Sequence, residues 1–176
     1  YVVETPWHGL GTKLENPPTI AEGIKSAGLD WSVSLRPLKT EFDNEIIDIP
    51  GHFATVRDSD RSVLGIVQSR YVPIQNQQAF DFFQPLLDQK FMNLETAGSL
   101  KNGKVVFVLA KSTLKPEVIV EEDNIEQYIL FTTTHDGTGA VRVLYTPTRV
   151  VCANTLAAAL HVKTGFSVRH TESMNS

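Results

Sequence analysis

The sequence predicts an α+β domain: an antiparallel sheet built from three hairpins, with helices packed on one face. Three observations predict it. Turn residues join pairs of apolar, β-branched runs at "DSDR" (58–61), at Asn102-Gly103 and at Asp136-Gly137. Two of those hairpins run into Pro-marked segments with helical spacing, "RYVPIQNQQAF" and "LYTPTRVVCANTL". Hairpins and helices in that order fit helices laid on an antiparallel sheet, and not a parallel, doubly wound one.

All 176 residues are expected to form a single domain. Residues 1–18 read as an extended arm, rich in Gly and Pro, with Trp7 as its one large apolar anchor. Trp7 would pack either on its own domain or on a neighbouring subunit. Residues 19–28 read as a short helix: Thr19 caps it, Glu22 stands at the capping-box position, Ile20, Ile24 and Ala27 share a face, and Gly28 stops it. Residues 52–163 hold the hairpin and helix core. Its first hairpin is "HFATVRDSDRSVLGIV"; its second, "LETAGSLKNGKVVFVLAK", has the Asn-Gly pair that a tight two-residue turn prefers; its third is "YILFTTTHDGTGAVRVLY". Between the first two, Phe80, Phe83 and Leu87 fall on one helical face, with Pro85 set to kink or end that helix. The two hairpin-plus-helix stretches hint at a pair of ββα units.

The stretch "TPTRVVCANTLAAALH" (146–161) reads as a helix of about four turns. Thr146 would cap it, Pro147 suits its first position and Gly165 stands where it would stop. Ala153, Leu156, Ala157 and Leu160 recur at helical spacing, giving an apolar stripe whose two alanines permit close approach to a sheet; Asn154, Ala158 and His161 fall on another face. Arg149 would sit at the positive end of the helix, unfavourable by roughly 0.3 to 1 kcal/mol. That points to an acidic or phosphate partner, unless the side chain is simply exposed. Residues 164–176 read as a polar tail. Because the chain starts at Tyr1 and ends in "HTESMNS", we expect a piece of a longer protein.

Composition narrows the function classes. With 41% hydrophobic and 20% charged residues the chain is an ordinary globular one, and its longest apolar run, "VVFVLA" (105–110), falls far short of the roughly 20 residues of a membrane span. The net charge of -4 argues weakly against a wholly nucleic-acid-binding surface, but the charge is uneven. From Asp136 to Thr171 the only acid is Asp136, against Arg142, Arg149, Lys163 and Arg169, whereas "VEEDNIE" (120–126) is acidic.

No catalytic constellation emerges. "GLGTK" (9–13) lacks phosphate-loop spacing and a preceding strand. His8, His52, His135, His161 and His170 stand singly, without metal-ligand spacing, and Cys152, the one Cys, reads as a small core residue and not as a nucleophile. No catalytic residue, metal or other cofactor is expected. Asp58, Asp60 and Asp136 are explained by turns. What remains is basic residues interleaved with surfaces on which bases stack: Arg70-Tyr71, Arg142 with Tyr145 and Arg149, and "KTGFSVRH" (163–170).

The segments "PWHGLGT" (6–12), "AGLDWSV" (27–33), "LGIV" with Tyr71 after it, "AGSLKNGK" (97–104) and "TPTRVVCANTLAAAL" (146–160) resemble, in order, those of the phage/plasmid-like protein family. That family is a domain of unknown function, named for a Leu-Gly-Thr signature and found in phage, plasmid and other mobile-element genes. The resemblance implies a setting of replication, recombination or conflict with the host, in the cytoplasm of a bacterium, and brings no catalytic residues with it. The hairpin and helix layout also looks like that of ring-forming single-strand annealing recombinases, in which a twisted sheet and a helix line a basic groove.

The expected function is therefore non-enzymatic: binding of single-stranded DNA, with annealing as a further step, by a homo-oligomer without membrane attachment. Arg142, Arg149, Lys163 and Arg169 would contact phosphate and Tyr145 would stack a base. The competing reading is a protein-interaction or host-interference module, which the sequence pI of about 5.7 favours.

Overall fold

The computed structural model describes residues 18–114, 126–150, 153–161 and 164–170. The arm at 1–17, most of the acidic cluster at 120–126, Cys152, Lys163 and the end of the tail lie outside the described residues.

In chain order the elements are α1 (Ile20–Ser26), β1 (Val33–Phe42), β2 (Glu45–Arg57), β3 (Ser62–Gln68), α2 (Asn76–Asp81), α3 (Gln84–Asp88), β4 (Met92–Leu100), β5 (Val105–Ser112), β6 (Tyr128–Thr134), β7 (Val141–Thr146), α4 (Ala153–Leu160) and β8 (Gly165–Val168). Every strand pairing is antiparallel, so the class is α+β. The strands form two sheets where one was expected: a three-stranded meander β1-β2-β3 and a five-stranded meander β4-β5-β6-β7-β8.

Helices cover both faces of the larger sheet, which corrects the expectation of one. Along β5, Val106, Val108 and Ala110 face the cluster that contains Ile20 and Ile24 of α1 and Ala79 and Phe80 of α2. The alternate residues Phe107 and Leu109 face a second cluster with Val150 and with Leu156 and Ala159 of α4. The alternation follows from the pleat, and burial of both faces explains why the central strands read as continuous apolar runs.

Local chemistry sets the helix ends. Thr19 and Glu22 form a reciprocal capping box at α1, the Thr19 side chain accepting from the Glu22 amide and the Glu22 carboxylate from the Thr19 amide at 2.8 Å. Pro85 lies in the first turn of α3, so the predicted helix is broken at Phe82-Phe83 into α2 and α3. The expected four-turn helix from Thr146 is replaced by the eight residues of α4. Thr146 instead ends β7, pairing with Tyr128, and its hydroxyl accepts from the Thr148 amide. Gly165 begins β8 in extended conformation instead of stopping a helix. On α4, Leu156 and Ala159 are buried and Ala153 and Ala157 exposed, so the buried stripe is turned from the predicted one.

The turn at Asn102-Gly103 is also longer than two residues: Leu100 pairs with Val105, and Lys101, Asn102 and Gly103 all have positive φ.

The smaller sheet docks on the β6–β7 loop. The Thr55 hydroxyl donates to the His135 carbonyl at 2.6 Å. A Cβ added at Gly65 would lie 2.5 Å from the Asp136 backbone, so contact there requires glycine. Among the described residues the outer part of β1 and β2 has no third strand: β3 pairs with β2 only from His52 onward, and the register shifts between Pro37 and Lys39.

Candidate nucleic-acid interface

Of the sequence-predicted residues, Arg142, Tyr145 and Arg169 fall around the β7–β8 edge of the larger sheet, but not on one surface. Val141 and Val143 belong to the core under α1 and α2, and Leu144 to the core under α4. By alternation Tyr145 shares the first face and Arg142 the second, so the pair expected to act together straddles the sheet. Both are exposed, and neither Arg142 nor Arg169, one residue past β8, takes part in a described ion pair.

Arg149 precedes α4 and does not start a helix, so the dipole reason for expecting a partner falls away, but the side chain is ion-paired. Its guanidinium lies 2.8 Å from the Glu95 carboxylate, whose side chain is 17% exposed. Close by, Lys111 and the Tyr128 hydroxyl both donate to Glu126. Those donations hold the Glu126 carboxyl below its ordinary range, the Lys111 bond contributing most. Burial, and then Glu126, push the Tyr128 phenol up. Here two cations meet two carboxylates, leaving little net charge for a phosphate. Lys163 lies outside the described residues.

Phe166 was not among the predicted site residues. It pairs with Val143, hence shares the Tyr145 face, and the two aromatics are 55% and 50% exposed. Its signal was the aromatic inside "KTGFSVRH", a stretch read both as basic residues beside a stacking surface and as part of a polar tail. Among the described residues β8 pairs only with β7, so the larger sheet has an edge here. That edge has aromatic rings on one face and the Arg142 cation on the other, with Arg169 just past its end.

Behind the edge lies a polar core. The His170 ring stacks on Tyr71 with centroids 4.9 Å apart and shares a hydrogen bond with the Thr133 hydroxyl. The Tyr71 hydroxyl donates to the Thr134 carbonyl, and burial pushes its phenol up. The Val72 amide donates to the His170 carbonyl, which ties the chain after β8 to the segment after β3. Arg70-Tyr71, read as a possible stacking pair, is thus divided: Tyr71 is half-buried in this core, and Arg70 is exposed.

Among the described residues no group of three or more His, Cys, Asp or Glu could hold a metal ion. Among the described residues no helix is long and apolar enough to cross a membrane. A family model, DUF932, a domain of unknown function, matches residues 63–176. This span starts within β3 and takes in the whole larger sheet. No curated protein and no solved structure matches the chain.

Proposed function

We propose, of a chain that belongs to the DUF932 family, that it is a non-enzymatic protein of a phage, plasmid or other mobile element that binds single-stranded DNA, acts in the cytoplasm of a bacterial host and promotes strand annealing. One observation carries this reading: the β7–β8 edge presents exposed Tyr145 and Phe166 on one face and Arg142 on the other, with Arg169 just past its end and no described acid paired to either Arg. A single strand following that edge can lay bases on the rings and direct phosphates round the edge to the guanidinium groups. Base stacking on aromatic rings is tolerant of sequence and contributes roughly 1 to 3 kcal/mol per base. A duplex, with its bases already stacked inside, gains nothing from the rings.

The test is fluorescence anisotropy of a labelled single-stranded oligonucleotide, at low and physiological salt, with duplex as competitor. Two phosphate contacts per protomer give a log–log salt slope of roughly -1.4. Salt-sensitive binding that duplex does not compete away is the expected result. Absence of binding at low salt would remove the DNA reading.

A protein-interaction role is the second reading. Phe42, Ile46 and Ile47 favour it, being 66%, 73% and 44% exposed near the tip of the β1–β2 ribbon.

A further inference from the structure

The outer β1–β2 ribbon has features that its own fold does not use. Lys39–Phe42 pair only with Glu45–Asp48, across a turn in which Asp43 and Asn44 both have positive φ. Beyond His52 no third strand supports it, so each of its strands keeps one unpaired edge among the described residues. A lone two-stranded ribbon is marginally stable in water, and this one exposes Phe42, Ile46 and Ile47. Its charge is one-sided as well. Lys39 is paired with Asp48 at 3.4 Å, which leaves Glu41, Asp43 and Glu45 at the tip with no described cation partner.

The β7–β8 edge is the complement of this ribbon in three respects. Among the described residues it has an unpaired strand edge at β8, exposed rings at Tyr145 and Phe166, and cations at Arg142 and Arg169 that take part in no ion pair. Within one chain the two do not meet, because Phe42 and Ile46 remain more than half exposed. We infer that the acidic β1–β2 ribbon of one copy docks on the basic, aromatic β7–β8 edge of a second copy, pairing strand to strand. The contact joins two different surfaces, so it is head-to-tail and propagates to a ring or a filament instead of closing as a two-fold dimer. A ribbon tip on a four-residue strand lies at the low end of interface sizes, so assembly is weak and depends on concentration.

The inference goes beyond DNA binding and does not need it. Its test is sedimentation of DNA-free protein over a range of concentrations, using a charge swap. The ribbon variant carries Glu41→Lys and Glu45→Lys; the edge variant carries Arg142→Glu and Arg169→Glu. All four positions are exposed, and circular dichroism checks that each variant is folded. Wild type should gain mass with concentration, each variant alone should self-associate roughly tenfold more weakly or worse, and an equimolar mixture should recover assembly, because each contact again joins opposite charges. Phe42→Ser with Ile46→Ser should weaken assembly without rescue by the edge variant. A wild type that stays monomeric at every concentration, or a ribbon variant that assembles like wild type, overturns the inference. Assembly in a protein that ignores DNA would leave the inference standing and remove the proposed function; DNA binding by a permanent monomer would do the reverse.

Discussion

His135 has no exposed surface, and its ring sits edge-on to Trp31 with centroids 5.4 Å apart. Asn76 spends its amide hydrogens on the Leu29 and Trp31 carbonyls, so its oxygen accepts from His135 Nε2 at 2.9 Å. That assigns the imidazole proton to Nε2 and leaves Nδ1 buried with no partner among the described residues. Burial, reinforced by neighbouring His170 and opposed by Asp136, depresses the His135 pKa to about 4. An unfolded chain takes up the proton near 6.5, so the folded state loses stability as pH falls from there towards 4, by roughly 3 kcal/mol in all. Above the unfolded value the group contributes no pH dependence. Denaturant unfolding at pH 7 and pH 5 should show roughly 2 kcal/mol of this loss in the wild type and a smaller loss in His135→Gln; equal losses would exclude His135 as the cause. Burial lowers His170 in the same sense, so some pH dependence should remain in the variant. At Arg149 the Glu95 ion pair makes a different forecast. Arg149→Ala should cost about 1 kcal/mol, as for a pair with one half-exposed member, and leave affinity for single strands within error. A loss of affinity like that of Arg142→Glu would place Arg149 in the DNA site after all.

At the scale of elements, the sequence was informative where the signals are local. The Thr19–Glu22 box starts α1, and turn residues mark the ends of β2, β4 and β6. The antiparallel α+β class follows from such signals. The face that each strand turns to each helix does not. In "VVFVLA" both faces are covered, so alternation carries no information, and helices on both sides look the same as helices on one. "TPTRVV" has the grammar of a helix start, but Thr146 is held in the sheet by Tyr128, a partner distant in sequence. The candidate site was half legible for the same reason. Arg142 and Tyr145 are three apart, which places them together on a helix but on opposite faces of a strand. Phe166 became visible only once β8 was paired with β7. The contact between sheets is also non-local, and it supplies a stability test. Gly65→Ala puts a methyl group 2.5 Å from the Asp136 backbone, which side-chain motion cannot relieve. Unfolding should show a loss of roughly 1 to 3 kcal/mol or more, as for overpacking, and a neutral result would mean that the β6–β7 loop yields.

For the whole molecule, the acidic ribbon and the basic edge lie on different sheets, and a strand of DNA and the ribbon of a neighbour call on the same Arg142 and Arg169. Both cannot occupy one edge. Phosphates present denser negative charge than Glu41 and Glu45, and bases stack on Tyr145 and Phe166 where the ribbon offers only Phe42 and isoleucines. DNA should therefore displace ribbons, opening the assembly from edge to edge as it binds. Linkage then requires that affinity for a single strand fall as protein concentration rises through the range in which assembly forms, by the same factor that DNA weakens assembly. Anisotropy titrations of a labelled oligonucleotide, supplemented with excess Tyr145→Ala, Phe166→Ala protein as a ribbon donor, should show weaker binding than titrations without it. A donor that also carries Glu41→Lys and Glu45→Lys should have no such effect. If both donors act alike, the ribbon does not reach the DNA-binding edge, and the two surfaces work independently.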